Sequence, residues 1–181
     1  MEACVLTAIL YSTHEEVEEL FGRDPRRRNT YLFTPWGPRP GWCPYVSTSR
    51  LVGRMIRRAQ EARKSADANL STGLFNLACI SAYQFIQLMI RARIIERTGA
   101  EPRARGITGL LKALGEALGR EEKISRFLEE RKDDIAFLEE LYGRSRREPS
   151  SCTHEEAERF VMIADSIVGF VESVVEEAGP A

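Results

Sequence analysis

Residues 72–98 read T-G-L-F-N-L-A-C-I-S-A-Y-Q-F-I-Q-L-M-I-R-A-R-I-I-E-R-T, and this stretch decides the fold. Leu74, Phe75, Leu77, Ala78, Cys79, Ile80, Ala82, Tyr83, Phe85, Ile86, Leu88, Met89 and Ile90 spread round most of a helical wheel. A helix that is apolar nearly all round belongs in a core or a membrane. Asn76, Ser81, Gln84 and Gln87 interrupt it, so the run of 18 apolar residues that a bilayer span needs is missing. The stretch is therefore expected to be the buried helix of a soluble protein. Gln84 and Gln87 would need hydrogen-bond partners wherever they are buried.

Working outward, every segment after residue 47 has helical period. Residues 49–69 place Leu51, Val52, Met55, Ile56, Ala59, Ala62 and Ala66 on one side. The other side carries Arg50, Arg54, Arg57, Arg58, Arg63 and Lys64 against only Glu61 and Asp67. The central helix stops near Gly99, with Pro102 beyond. Short and long helices follow over 107–118 and 121–142. A basic linker, 143–147, then leads through Pro149 to a last helix over 153–177. Thr153 and Glu156 make a capping box there, and Phe160, Ala164, Ile167, Val171 and Val174 recur at steps of three and four.

No strand pattern is found. The expected fold is all-α, an up-and-down antiparallel bundle of four to five helices over 47–178. Residues 121–142 and 153–181 are acidic, so oppositely charged helices lie side by side, or the basic first helix faces a partner.

Residues 1–46 read as an irregular N-terminal extension, dispensable for folding. Thr13 and Glu16 cap one short helix over 13–21, an Arg-rich turn follows, and four prolines and two glycines crowd 35–44. Trp36 and Trp42 either strap this loop onto the helical body or stack on RNA bases.

Composition fits one ordinary globular domain of 181 residues, with 43% apolar and 29% charged residues. A net charge of −1 argues against wholesale coating of nucleic acid. Arginines outnumber lysines 22 to 4, as a GC-rich genome or a hot-living host would produce. Cys4, Cys43, Cys79 and Cys152 form no C-x-x-C pair, which speaks for free thiols and against zinc. Residues 4–10 are too short and too poorly flanked for a signal peptide, so the protein reads as cytoplasmic, without membrane, metal or cofactor.

Against this layout, residues 49–175 resemble a HEPN domain, the small helical domain found beside minimal nucleotidyltransferases in prokaryotes. The resemblance rests on A-R-K-S-A-D-A-N-L (62–70), L-A-C-I-S-A-Y-Q-F-I-Q-L-M-I-R-A (77–92), G-A-E-P (99–102), G-L-L-K-A-L (109–114) and T-H-E-E-A-E-R-F (153–160). Gln87 stands where the family usually has Glu, and Arg91 where it often has Lys. The histidine before the short helix is replaced by Arg105 or Gly106. An Ala-Arg-Tyr element becomes Ser145-Arg146-Arg147, without the tyrosine.

The resemblance implies a homodimer and a nucleotidyltransferase partner in a toxin-antitoxin-like pair. Two functions follow from it. The favoured one is a non-catalytic module that binds a nucleotide, RNA or that partner. It would use the arginines of the first helix, such as Arg54 and Arg58, or the row Gln84–Gln87–Arg91.

The alternative is a metal-independent ribonuclease with an Arg-x6-His motif, fitted by Arg147 and His154 with Arg144 and Arg146 beside them. An imidazole can take the 2′-hydroxyl proton while a guanidinium holds the phosphate. His154 is otherwise an ordinary first-turn residue, since Thr-His-Glu-Glu also occurs at 13–16. Neither histidine stands in H-E-x-x-H, and no Walker or Rossmann pattern is present.

The homodimer is also expected on apolar surplus. The 72–98 helix and the face Phe160, Val161, Ile167, Val168, Phe170 and Val175 offer more apolar area than the neighbouring helices cover. Alternatively Phe21, Leu32, Trp36 and Trp42 cover it and leave a monomer.

Overall fold

The computed structural model describes residues 48–148 and 152–179. The expected helix over 13–21, the Pro/Trp loop and the apolar cover from Phe21, Leu32, Trp36 and Trp42 lie outside the described residues. Residues 52–181 make one compact unit.

Six α-helices are described: α1 Thr48–Ser71, α2 Phe75–Thr98, α3 Gly106–Leu118, α4 Glu121–Glu130, α5 Lys132–Arg147 and α6 His154–Ala178. No strand occurs among the described residues. The all-α bundle expected from the sequence is what forms. It has more helices than the expected four to five, because the anticipated 121–142 helix is two.

The division falls at Arg131, at φ −111° and ψ 20°. Backbone bonds run up to it and resume after it, from Arg131 N–H to Phe127 O and from Ile135 N–H to Arg131 O. No proline or glycine marks the place. The two halves serve different neighbours. On α4, Phe127 stacks on Phe170 of α6 with centroids 3.7 Å apart. On α5, Tyr142 stacks on Tyr83 of α2, also at 3.7 Å.

The end of α5 also differs from expectation. Residues 143–147 are its last turn, not a linker, and Arg144, Arg146 and Arg147 all stand there. Cations are favoured at a helix C-terminus, where they face unpaired carbonyls.

Core side chains come from every layer. Tyr83, Ile86 and Ile90 on α2 are sealed by Leu110, Leu111 and Leu114 on α3, Leu138 on α5, and Phe160, Ala164, Ile167 and Val171 on α6. Each large aliphatic chain so buried contributes about 1.5–3 kcal/mol. Ala59 and Ala66 bring α1 to the same core. Arg63 fixes α1 to α6 by a two-pronged bond to Asp165, at 2.6 and 2.7 Å.

Helix directions follow from paired contacts. Phe75 meets His154 and Arg93 meets Glu172, so α2 and α6 run the same way in constant register. Asn76 meets Glu148 and Tyr83 meets Glu139, so α5 runs against α2. The segment 99–105 doubles back along α2, with Arg91 bonded to Glu101 at 2.8 Å. Gly99, at φ 71°, supplies the left-handed residue that starts this return.

α2 is less enclosed than its sequence suggests. Gln84 is exposed and needs no protein partner, Gln87 is half-buried, and Leu74 and Leu77 are 50% and 48% exposed. The apolar surplus expected of α6 is largely consumed within the chain. Phe160, Val161, Ile167 and Val168 are buried, and Phe170 is covered by Phe127. Among the described residues no helix is long and apolar enough to cross a membrane.

Candidate functional site

The residues anticipated for chemistry gather where α5 ends and α6 begins. Arg147 is the last residue of α5 and His154 the first of α6, and both are exposed. The His154 ring meets Phe75 edge-on, with centroids 5.4 Å apart and planes at 79°. Arg146 is exposed and lies over the Tyr142 ring, its guanidinium carbon 5.5 Å from the centroid. That stacking orients the cation without neutralising it. Among the described residues neither Arg146 nor Arg147 has a carboxylate within salt-bridge distance.

Arg144 is different. Its guanidinium bonds Glu156 at 2.5 Å, across the turn. Glu156 also completes the capping box: its carboxylate accepts from Thr153 N–H, and its own N–H donates to Thr153 Oγ1. The Thr153 N–H first, and Arg144 second, hold the Glu156 carboxyl below the usual range. The same carboxylate raises the Arg144 guanidinium. Arg144 therefore braces the turn, and its charge is already matched.

Three residues that complete the turn carried no role in the sequence reading. Asn76, near the start of α2, bonds to atoms on both sides of it. Ser145 is buried and donates to Leu141 O at 2.7 Å. Its hydroxyl also lies 2.9 Å from the Cys152 sulfur. Cys79 is buried beneath, its thiol pushed up to about 12 by burial first and by Cys152 second. Asn76 was visible only as a polar interruption of an apolar helix, and nothing near it in sequence names its partners.

The other anticipated residues lie elsewhere. Gln84, Gln87 and Arg91 climb the outer side of α2, and Arg91 is committed to Glu101. Ser65 of α1 pairs with Ser81 of α2, so Arg54 and Arg58 stand level with the far half of α2, away from the turn. Arg54 is half-buried, and Arg58 is half-buried and already engaged. The anticipated row and the basic helix thus do not converge with the turn.

A recess of about 630 Å³ opens at the other end of the bundle, lined by Arg93, Glu96, Arg97, Leu118 and Glu172 among others. Its charges answer one another, because Arg93 bonds Glu172 at 2.5 and 3.0 Å and Glu96 at 2.8 Å. Among the described residues no three histidine, cysteine or acidic side chains are grouped to hold a metal ion.

With this geometry in place, comparison with known proteins gives one match. A family model described as HEPN domain covers residues 52–174. No curated protein matches the chain. No solved structure matches it either.

Proposed function

This chain belongs to the HEPN domain family, and from that premise we propose that it is a helical module that binds RNA or a nucleotide phosphate at the α5–α6 turn. It would act as one half of a two-component pair whose other half is a nucleotidyltransferase. One observation carries the reading. On the last turn of α5, Arg146 and Arg147 are exposed and, among the described residues, unmatched by carboxylates, while the neighbouring Arg144 is spent on Glu156. Guanidinium groups hold phosphate oxygens through paired N–H donors, and an exposed pair suits that task. His154 adds a donor or acceptor from the facing helix end.

The test is fluorescence anisotropy of a labelled single-stranded RNA against salt. Arg147→Ala should weaken binding and lower the slope of log affinity on log salt by about 0.7, the share of one phosphate contact on a single strand. Arg54→Ala, remote from the turn, should leave the slope unchanged. Equal effects at both positions would move the site off the turn.

A second reading is metal-independent RNA cleavage, and it is favoured by Arg147 continuing α5 instead of hanging on a linker. In that reaction the His154 imidazole takes the 2′-hydroxyl proton, and the 2′-oxygen attacks the adjacent phosphorus. The bond to the 5′-oxygen breaks and that oxygen takes a proton from water, which leaves a 2′,3′-cyclic phosphate and a 5′-hydroxyl end, and the imidazolium then returns its proton to the solvent. Arg147 would hold the phosphate as charge builds on it. Cleavage that survives chelator and disappears in His154→Ala selects this reading. Binding without cleavage selects the first.

A further inference from the structure

The α5–α6 turn is held from outside, by one side chain on α2. The amide nitrogen of Asn76 donates to the Glu148 carbonyl at 2.7 Å and to the Ser145 carbonyl at 3.3 Å. Its oxygen accepts from the Cys152 N–H at 3.0 Å. Resting on the reading of Arg147 and His154 as the phosphate-handling pair, we propose that Asn76 is a positioning residue that sets the spacing between them.

The last carbonyls of a helix have no partner within it. Ser145 and Glu148 lie in that region of α5, so a donor from another element is what they require. A carboxamide alone among neutral side chains places two donors and an acceptor on one rigid plane. The direction of the amide is fixed by its neighbours. Turned over, it would set its NH2 against the Cys152 N–H and its oxygen against two carbonyls.

Arg147 precedes Glu148 directly, and His154 follows Cys152 by two residues. Both functional side chains therefore hang on backbone that Asn76 grips. The grip is anchored deeply, because Ala78 and Cys79 just beyond it on α2 are fully buried. The Ser145–Cys152 contact crosses the same turn and reinforces it. Arg144 and Glu156 brace the turn's flank, but they touch neither Glu148 nor the Cys152 N–H. An amide at position 76 does for this turn what a longer helix would do for a continuous motif: it removes slack between two groups that act on one phosphate.

The experiment uses the full chain as Asn76→Ala and Asn76→Asp, with Ser81→Ala as a control on the same helix. Among the described residues, the Ser81 side chain bonds only α1 side chains, Ser65 and Asn69. Three readouts are taken: amide hydrogen exchange at Cys152, the His154 imidazole resonance (assigned with His14→Gln), and RNA affinity. In Asn76→Ala the Cys152 amide should exchange about tenfold faster, as loss of one hydrogen bond allows. The His154 resonance should move, and RNA affinity should fall about tenfold or more. Asn76→Asp keeps the acceptor and loses both donors. It should retain the Cys152 protection and still lose affinity. Ser81→Ala should change none of the three.

Unchanged Cys152 exchange in Asn76→Ala overturns the proposal, as does unchanged affinity in a parent that binds RNA. If Asn76→Ala does not fold, Asn76→Asp decides by the same affinity measurement. A parent that binds no RNA refutes the functional reading alone. The exchange rate and the His154 resonance still decide whether Asn76 sets the turn.

Discussion

The Ser145 hydroxyl and the Cys152 thiol lie 2.9 Å apart across the junction of α5 and α6. The Ser145 hydroxyl also donates to Leu141 O at 2.7 Å, so the contact ties the last turn of α5 to the residue that leads into α6. Burial pushes the Cys79 thiol up to about 12, and Cys152 is itself buried, so neither sulfur is open to a reagent in the folded chain. In a Cys4→Ser, Cys43→Ser background, a thiol-specific reagent at pH 8 should modify neither cysteine until the chain is unfolded. Fast labelling of the native protein would contradict the packing described here.

The capping box gives a pH-dependent result. Glu156 titrates below the ordinary glutamate value in the folded chain, so its contribution is fully present above about pH 4.3. It is lost as pH falls further, through the depressed folded value. The melting-temperature gap between the parent and Glu156→Gln should therefore be open at pH 6 and close below pH 4. Thr153→Ala removes the hydroxyl that accepts from Glu156 N–H, at a cost of about 1 kcal/mol. A gap that widens on acidification would reverse the sign argued here.

Tyr83 donates to Glu139 at 2.8 Å, and the other oxygen of that carboxylate accepts from Ile107 N–H at the start of α3. Burial first, and the Glu139 carboxylate second, raise the Tyr83 hydroxyl above its usual value. Tyr83→Phe keeps the ring stack with Tyr142 and removes only the bond to charge, so about 1.5–3 kcal/mol should be lost. At about 2–4 °C per kcal/mol for a chain of this size, a melt resolves it. Loss below about 0.5 kcal/mol would show that Glu139 finds another donor.

A homodimer is expected on the α2 part of the surface that the sequence pointed to, the α6 part being largely buried within the chain. Leu74 and Leu77 flank Asn76 and are half exposed, at the same end as Arg147 and His154. Two-fold pairing through that end would bring two turns together. Light scattering at micromolar concentration should give twice the 20.5 kDa chain mass, and Leu77→Asp should halve it. A mass near 20.5 kDa for the parent would exclude the dimer.

Removing residues 1–46 is expected to leave a folded bundle, because helical period begins after them. A chain starting at Ser47 should melt within a few degrees of the full one. Aggregation, or a far lower melting point, would show that the segment is structural.

Much of this fold was legible because the signals are local. Gly99 and the Thr153–Glu156 box mark helix ends within a few residues, and the core positions of α6 follow from period alone, whereas α2, apolar nearly all round, shows no single stripe. The break at Arg131 left no such mark. E-E-R-K-D-D suits a continuous helix, and the partners of the two halves, Phe170 for Phe127 and Tyr83 for Tyr142, lie far away in sequence. The arginines at 143–147 were read as linker because Gly143 and Pro149 bracket them, yet the helix runs on to Arg147. At the candidate site, the Arg/His spacing was readable. Which arginine is already paired was not, because Glu156 reaches Arg144 from the next helix. Asn76 was the least readable of all, since its partners are backbone atoms that carry no side-chain signature.

The common direction of α2 and α6 has a consequence for the order in which the molecule assembles. Antiparallel neighbours joined by short turns, such as α1 with α2 or α5 with α6, close quickly. The parallel pair must wait for distant chain to return. The bonds from Asn76 to Ser145, Glu148 and Cys152 join residues 69, 72 and 76 positions apart, among the longer closures here. Loop-closure entropy must be met before such contacts repay it, so they belong to the late steps of folding. Mutations at Asn76 should then leave the refolding rate nearly unchanged and appear as faster unfolding. A chain still emerging from synthesis would carry Arg147 before the helix that bears His154 exists. The turn takes its working shape only when the last helix has docked.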